Sequence, residues 1–387
     1  MDVSSEMVLT ILPLFLANVL GVRTAVIGLI EGVAESTASL LTLGSGWLSD
    51  RLRSRKWLAV AGYGLSALSK PFFYVAGSWG LVAGVRWADR VGKGVRTAPR
   101  DALVADSIRP EQRGLAFGLH RAADTGGAVA GLAVALLLVW LGQAGSVALT
   151  RHTFRVVVLV SLVPAAVAVL ALALLARDVP VGGRGAAPRV MLRGLGPRFG
   201  WFMLVVAVFT LGNSSDAFLV LRAQERGLSV AGVLGMLITF NIVYALVSTP
   251  AGALSDRVGR RPVVIAGWLV YAAVYLGFAA AGAAWQVWAL FGVYGVYYGL
   301  AFGTMRAMVA DLVPGALRGT AFGTYNAVVG VLAAPASVIA GVLWQGVRGW
   351  RGFGASAPFL FGGVMALLAS ILMAFAVAEG GTDDGGA

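Results

Sequence analysis

The chain of 387 residues is 58% hydrophobic and only 12% charged, whereas a soluble globular chain carries roughly 25% charged residues. Because charged groups are costly in hydrocarbon, this composition is typical of an integral membrane protein. The formal net charge of +12 belongs to residues in short gaps between apolar stretches, which argues against nucleic-acid binding, and the absence of cysteine excludes disulfides and thiolate metal sites.

Apolar stretches of roughly 20 residues predict twelve membrane-spanning helices. In chain order they cover residues 3–22, 27–49, 57–77, 79–104, 114–141, 154–176, 199–221, 230–254, 262–281, 285–311, 319–344 and 356–378. One long gap, 177–198, is rich in Gly, Pro and Arg, which is typical of a linker. We therefore predict an all-α membrane protein of two six-helix bundles. Its parts are an N-terminal bundle (1–176), a cytoplasmic linker (177–198), a C-terminal bundle (199–378) and a cytoplasmic tail (379–387).

Lys and Arg residues are concentrated in the linker and in every second gap on its side. Since cytoplasmic gaps carry an excess of Lys and Arg, the linker is placed inside, and both termini are predicted to be cytoplasmic. The expected location is a prokaryotic inner membrane, which the chain crosses many times.

The two halves of the sequence repeat one another. GWLSDRLRSRK (46–56) corresponds to GALSDRVGRR (252–261), RDALVADS (100–107) to MRAMVADL (305–312), and SSEM (4–7) to SSDA (214–217). Such a repeat, with the same orientation in each half, predicts two bundles related by an axis along the membrane normal. Many apolar residues (199–213) precede SSD, but only three precede SSE, so the first half of helix 1 is expected to be missing.

A loop pattern, G-x-x-x-D-R-x-G-x-[RK], occurs between predicted helices 2 and 3 and again between helices 8 and 9. The first copy consists of Gly46, Asp50, Arg51, Arg55 and Lys56, and the second of Gly252, Asp256, Arg257, Gly259, Arg260 and Arg261. Arg90 and Gly94 add a weaker R-x-x-x-G match. On these residues the whole chain resembles the major facilitator superfamily, and the run GKGVRTAPRDALVADS resembles an uncharacterised prokaryotic branch of it. The first copy departs from the pattern, with Arg53 in place of Gly.

The resemblance implies alternating access, in which two bundles rock about a central cavity. It also implies a cytoplasmic gate with a latch role for Asp50, Arg51, Asp256 and Arg257. The complete predicted gate is Gly46, Asp50, Arg51, Gly252, Asp256, Arg257 and Arg261. The alternative is that these residues are ordinary positive-inside anchors.

The predicted fourth helix is unusually charged, with the sequence RWADRVGKGVRTAPRD at residues 86–101. Arg86 is expected near the outer surface, which leaves Asp89, Arg90 and Lys93 nearest mid-depth. The next helix offers His120, Arg121 and Asp124. An ionisable group inside a membrane needs a partner or a water-filled cavity. Two interpretations stay open: a closed ion-pair network, Asp89–Arg90–Asp124–Arg121, between helices 4 and 5, or groups that bind substrate or carry protons.

The repeat places aromatic residues of the second half opposite charged residues of the first. At an offset of 205, Asp89 corresponds to Tyr294, Lys93 to Tyr298, His120 to Tyr325 and Arg121 to Asn326. A cavity with a charged wall and an aromatic wall suits an amphipathic organic solute with an anionic or zwitterionic head group. The alternative is that the tyrosines pack at helix interfaces.

Proton coupling requires a carboxylate or histidine that changes charge during transport. The candidates are Asp2, Glu6, Glu31, Glu35, Asp89, His120, Asp124 and Asp216. Glu31 and Glu35 lie one turn apart, and two like carboxylates in a low dielectric rarely both ionise, unless Glu31 lies at a solvated helix end. Asp124 is the preferred carrier. The complete predicted pathway is Glu6, Glu31, Glu35, Asp89, Arg90, Lys93, His120, Arg121, Asp124, Asp216, Asn241, Tyr294, Tyr298, Tyr325 and Asn326.

These observations predict a monomeric secondary transporter that exports a small organic solute in exchange for protons. Its partners would be the solute, protons and the lipid bilayer, with no nucleic acid. The alternatives are uptake of an organic anion or metal chelate, or a non-transporting membrane sensor or partner subunit. An enzyme is not expected: GKG at 92–94 lacks the rest of a phosphate-binding loop, and the two histidines are not spaced as a metal pair. No catalytic residue, cofactor or metal is predicted.

Overall fold

The computed structural model describes residues 1–52, 55–107, 113–178, 195–313, 318–347 and 349–376. The regular elements in these ranges are all helical, which confirms the predicted all-α membrane fold. Most of the predicted linker and the tail 379–387 lie outside the described residues, so the predicted domain boundaries stay predictions.

Twelve helical segments, α1 to α12, follow one another in the described ranges. They are α1 (Asp2–Leu9, Leu12–Leu14 and a π-helical turn, Phe15–Val19), α2 (Thr24–Leu52), α3 (Arg55–Ser69 and Pro71–Val75), α4 (Trp79–Asp106), α5 (Arg113–Gln143), α6 (Arg151–Leu175), α7 (Gly196–Gly212 and Ala217–Glu225), α8 (Val230–Val258), α9 (Arg260–Ala280), α10 (Ala284–Asp311), α11 (Arg318–Gln345) and α12 (Ala357–Ala376). Ten are long and apolar enough to cross a membrane. The other two are α3, which breaks before Pro71, and the charged α4.

The interruption of α7 at residues 213–216 places irregular backbone inside an apolar segment. Its polar groups are satisfied locally: the N–H of Asn213 donates to the carbonyl oxygens of Phe209 and Thr210, both at 3.1 Å. The N–H of Ser215 donates to Ser337 Oγ on α11 at 3.2 Å. Within a bilayer such backbone is tolerated where it is buried in protein or lines a cavity. The interruption therefore marks a place where α7 can present polar groups to the interior.

The two halves of the molecule meet most closely along α2 and α11. The N–H of Thr24 donates to Gln345 Oε1 at 2.8 Å, and Ser36 Oγ donates to the carbonyl oxygen of Gly330 at 2.5 Å. These contacts lie in the half of α2 that begins at Thr24. We call this end of the molecule, where Thr24 faces Gln345, the outer end, because the distribution of Lys and Arg predicts that it faces outside. The halves are therefore in contact at the outer end.

Gly28 makes the α2–α11 contact possible, and Gly28→Ala is expected to open it. A Cβ at residue 28 would overlap the carbonyl oxygen of Ser337 and approach the Phe218 ring. Overpacking of this kind costs about 1–3 kcal/mol, so the closed arrangement should lose roughly fivefold or more in population. The sequence has no cysteine, so disulfide formation in the Thr24→Cys/Gln345→Cys variant reports closure directly.

The matched control for this experiment is Gly44→Ala on the same helix, because a Cβ at residue 44 has no atom within 4 Å. Cross-linking should be slower in Gly28→Ala and unchanged in Gly44→Ala. Equal rates in both variants would show that close approach at Gly28 does not hold the outer end closed.

Candidate functional site

A cavity of about 460 Å³ lies between the two halves, where α1, α2 and α4 face α7, α8, α10 and α11. Its lining is charged on the side of the first half and mostly polar or aromatic on the other. The polar and aromatic lining residues are Glu6, Thr10, Glu31, Glu35, Arg86 and Arg90 from the first half, and Thr210, Asn213, Ser214, Ser215, Asp216, Phe240, Asn241, Tyr298 and Ser337 from the second.

Arg86 is the centre of the charged wall. Its Nε donates to Glu31 Oε1 at 3.1 Å and its Nη2 to Glu31 Oε2 at 2.6 Å, a bidentate pair between α4 and α2. Its Nη1 lies 3.6 Å from Asp89 Oδ2, one turn further along α4. The exposed fractions are 4% for Arg86, 8% for Glu31 and 3% for Asp89. The placement of Glu31 at a solvated helix end is therefore wrong, while the depth of Arg86 in the membrane stays a prediction.

The second part of the charged wall is centred on Glu35. Arg90 Nη1 lies 3.5 Å from Glu35 Oε2, and Lys93 Nζ lies 3.7 Å from Glu35 Oε1. Together with Arg86, Glu31 and Asp89, these residues form a network of three carboxylates and three cations that joins α2 to α4. We call these six residues the α2–α4 network. Each glutamate faces its own cation, so the two carboxylates do not lie unpaired beside one another.

The alternative network of Asp89, Arg90, Asp124 and Arg121 predicts ion pairs between α4 and α5 that the structure does not form among its described side chains. Asp89 and Arg90 pair with groups on α4 and α2, while Asp124 Oδ2 lies 3.4 Å from His120 Nδ1 on its own helix. The side chain of Arg121 lies outside the described residues. His120 and Asp124 are half-buried and do not line the cavity. A role for either residue in proton movement stays a prediction.

Two carboxylates of the cavity, Glu6 on α1 and Asp216 in the interruption of α7, have only neutral partners. Thr10 Oγ1 donates to Glu6 Oε2 at 3.0 Å, and Tyr294 Oη donates to Asp216 Oδ1 at 3.1 Å. Among the described residues, neither carboxylate forms an ion pair. They occupy the same position of the SSE and SSD repeats, so related residues of the two halves converge on one cavity.

Lys70, at the break in α3, holds the start of α1. Its Nζ donates to Ser4 Oγ at 2.6 Å and to Ser5 Oγ at 3.2 Å, and its side chain is fully buried. An ammonium group in hydrocarbon needs such polar partners. The position of Glu6 in the cavity therefore depends on an α1–α3 contact that leaves Lys70 away from the cavity lining.

The aromatic residues of the second half form a stack behind the cavity. The Phe240 ring centroid lies 5.1 Å from that of Tyr298 and 5.7 Å from that of Tyr294, and Tyr294 lies 5.2 Å from Tyr298. Phe240 and Tyr298 line the cavity, whereas Tyr294 is fully buried behind them and reaches Asp216. Tyr325 is also buried and does not line the cavity. Tyr294 and Tyr325 therefore pack at helix interfaces, which was the alternative interpretation, whereas Tyr298 faces the cavity.

The two predicted amides differ in position. Asn241 lines the cavity, and its Nδ2 donates to the carbonyl oxygen of Leu237 at 2.9 Å. Asn326 is exposed and does not line the cavity. In the described ranges, no cluster of three or more His, Asp or Glu side chains is arranged to hold a metal ion.

The predicted gate is described only in its second copy. In the first copy, the surroundings of Gly46 and the side chains of Asp50 and Arg51 lie outside the described residues. Arg260 bonds to Asp256 through Nη1, and its Nε lies 3.2 Å from Asp311 Oδ2 on α10. Arg260 therefore joins α8, α9 and α10, while Arg257 is exposed. Gly259, with a φ of 93°, forms the turn between α8 and α9 that brings Arg260 back toward Asp256. The latch role stays a prediction.

The site residues that sequence reasoning missed are Arg86, Arg260 and the small polar residues near Asp216. Arg86 lies three residues before Asp89, so i to i+3 spacing on the charged stripe was an available signal. Thr210, Asn213, Ser214, Ser215 and Ser337 carry no comparable signal, because small polar residues are frequent in membrane helices.

Comparison with known proteins agrees with this architecture. The sequence model described as Major Facilitator Superfamily matches residues 1–242 and 198–385. An uncharacterised MFS-type transporter of Methanocaldococcus jannaschii is 34% identical over 380 residues, covering 97% of this chain and 91% of the relative.

Solved transporter structures have the same fold at low sequence identity. A variant of the nucleoside transporter NupG superposes with a TM-score of 0.80 at 14% identity, covering 96% of each chain. A bacterial homologue of the human lysosomal transporter Spinster, inward-facing and occupied, gives a TM-score of 0.78 at 15% identity, covering 96% of this chain and 93% of the other. This prokaryotic-type integral membrane protein, with its cavity between two helical halves, belongs to the major facilitator superfamily.

Proposed function

We propose that the protein exports a small organic solute in exchange for protons, acting as a monomer by alternating access. The observation that carries the proposal is the cavity of about 460 Å³ between the halves, lined by ionisable residues of α1, α2, α4 and α7. A cavity of this size accommodates a small organic molecule. One of the similar structures is a nucleoside transporter, and a nucleoside is a small organic molecule of this kind.

Closure at the outer end supports the assignment of one state of an alternating-access cycle. The halves touch through Thr24–Gln345 and Ser36–Gly330, and the similar Spinster homologue is inward-facing. When the halves rock, the α2–α11 contact separates and the cavity becomes accessible from the opposite side. The Asp256–Arg260–Asp311 bonds then belong to the gate at the other end.

Proton coupling is assigned to Glu6 and Asp216. Both line the cavity without a described cationic partner, so each can accept a proton without breaking an ion pair. Glu31 and Glu35 are less suited, because protonation of either would remove a carboxylate that pairs with cations of the α2–α4 network. If proton and solute occupy these carboxylates in turn, the two move in opposite directions, and an inward proton gradient drives the solute out.

The test is proton flux in proteoliposomes that contain a pH-sensitive dye. A panel of organic cations, zwitterions, anions, neutral solutes and metal chelates is added under an imposed pH gradient. We expect one class to drive proton movement, and we expect Glu6→Gln or Asp216→Asn to reduce that movement to the level of empty vesicles. Asp124→Asn is the comparison variant, since sequence reasoning alone favours Asp124.

The outcomes separate the candidate carriers and the candidate functions. Loss of coupled flux in Asp124→Asn alone would assign the proton to Asp124 and refute the role of Glu6 and Asp216. Solute-driven flux without proton movement would refute coupling. Solute binding detected by thermal shift, without any flux, would favour the membrane sensor, the alternative from a different class.

A further inference from the structure

The charges around the cavity do not balance. Glu31, Asp89 and Glu35 are matched by Arg86, Arg90 and Lys93 in the α2–α4 network. Glu6 and Asp216 are additional, and among the described residues neither is ion-paired. With both carboxylates ionised, the cavity has an excess of two negative charges in a low-dielectric interior, where an unpaired charge is costly. The cavity therefore favours an occupant that brings positive charge.

The remaining lining suits the rest of such an occupant. Phe240 and Tyr298 present aromatic rings to the cavity, and ring faces attract cations as well as apolar groups. Asn213 and Asn241 add amide groups that can accept hydrogen bonds from an N–H donor. An anionic head group fits less well, because Arg86 and Arg90 already pair with glutamates.

We infer that the transported solute is an organic cation, with a protonated amine held between Glu6 and Asp216 and an apolar part packed on Phe240 and Tyr298. This inference rests on the proposed transport function and narrows its substrate class. It replaces the anionic or zwitterionic head group that the sequence suggests. Because the amine and protons would occupy the same two carboxylates, they would compete.

Other charged groups surround the two carboxylates and set the conditions of that competition. Asp2, Lys70, Arg90 and Lys93 act on Glu6, which accepts a hydrogen bond from Thr10. Glu6 and Glu35 act on Asp216, together with the hydroxyl groups of Tyr294 and Tyr298. Acidification protonates the carboxylates and removes the attraction for a cation, so binding of the amine should weaken as pH falls.

The test measures binding to the purified full-length protein and does not depend on transport. The probes share one aromatic body and differ in charge: 2-phenylethylamine, phenylalanine as the zwitterion, and 3-phenylpropionate as the anion. Binding is measured by thermal shift and calorimetry at millimolar concentration. We expect the amine to bind tightest, and Glu6→Gln or Asp216→Asn to weaken it by roughly tenfold to a hundredfold, the range for losing a hydrogen bond to a charged group.

Three further variants make the result decisive. Asp101→Asn removes a carboxylate that lies outside the cavity and pairs with Arg100, so amine binding should be unchanged. Arg90→Met removes a cation from the cavity lining and should strengthen amine binding. The pH dependence of amine binding should flatten in the Glu6→Gln/Asp216→Asn double variant. Tighter binding of the anion, lost in Arg90→Met, would overturn the inference, as would the absence of any response to the amine. Neither result would refute transport, because solute-driven flux is measured separately.

Discussion

Replacing Arg86 by methionine is expected to destabilise the protein by about 3–5 kcal/mol, the cost of removing one partner from a buried ion pair. The substitution would leave Glu31 and Asp89 buried without their shared cation, since the guanidinium group makes two hydrogen bonds to Glu31 and lies 3.6 Å from Asp89. The expected result is a strongly lowered melting temperature in detergent and little monodisperse protein on size-exclusion chromatography.

Two comparison variants show where the instability of Arg86→Met comes from. The first tests the loss of a different arginine of α4, and the second tests the unpaired charge. Arg100→Met removes an arginine paired with the half-exposed Asp101, and its melting temperature should change little. Arg86→Met/Glu31→Met replaces the main pair by apolar groups of similar size and should recover much of the loss. If the double variant were as unstable as Arg86→Met, the cost would lie in packing around Arg86 or in the unpaired Asp89, and not in Glu31.

The second large effect is expected at Arg222, whose side chain is fully buried on α7. Its Nε donates to the carbonyl oxygen of Phe278 at 3.1 Å, and its Nη2 donates to that of Ala279 at 3.1 Å and to Ser356 Oγ at 3.2 Å. Arg222 thus satisfies carbonyl groups at the C-terminal end of α9, which have no partner within the helix. The carbonyl oxygen of Ala279 also accepts from Ser356 Oγ at 2.7 Å, so Arg222→Met orphans that of Phe278, and stability should fall by about 1–3 kcal/mol.

The measurement is again thermal unfolding, with Arg222→Lys as the graded comparison. Lysine keeps the positive charge near Glu225, which pairs with Arg222 Nη1 at 2.6 Å, but its single ammonium group cannot reproduce the planar fork of donors. We expect the melting temperature of Arg222→Lys to fall between those of the wild type and Arg222→Met. A wild-type melting temperature for Arg222→Met would show that the carbonyl group of Phe278 finds another donor.

Much of the fold follows from the sequence because the patterns that predict it are local. A span is an apolar run, and the repeat between halves is visible in short motifs such as SSEM and SSDA. The unusual charge of α4 and the correspondence of Glu6 with Asp216 are also readable. These features need no knowledge of how one helix is rotated against another.

The partners of the charged residues could not be predicted in this way. The Arg86–Glu31 pair joins positions 55 residues apart, and it depends on the relative height and rotation of α2 and α4. A residue is also easily assigned to the wrong environment near a helix end: the sequence places Arg222 in an outer gap, whereas α7 continues to Glu225 and buries it. The repeat in the sequence identifies the aromatic residues of the second half, but it does not show that Tyr294 packs behind Tyr298.

The charge balance of the α2–α4 network has a consequence for energetics in a polarised membrane. Moving one elementary charge across 100 mV is worth about 2.3 kcal/mol, whereas a network of three carboxylates and three cations adds no net charge to the moving half. Among the described residues that line the cavity, Glu6 and Asp216 are the carboxylates without an ion-pair partner, so they would contribute to the voltage dependence of turnover. A proton on each carboxylate neutralises both, and one protonated amine between them leaves one negative charge, so the electrical field would act most strongly on the return of an empty, ionised cavity.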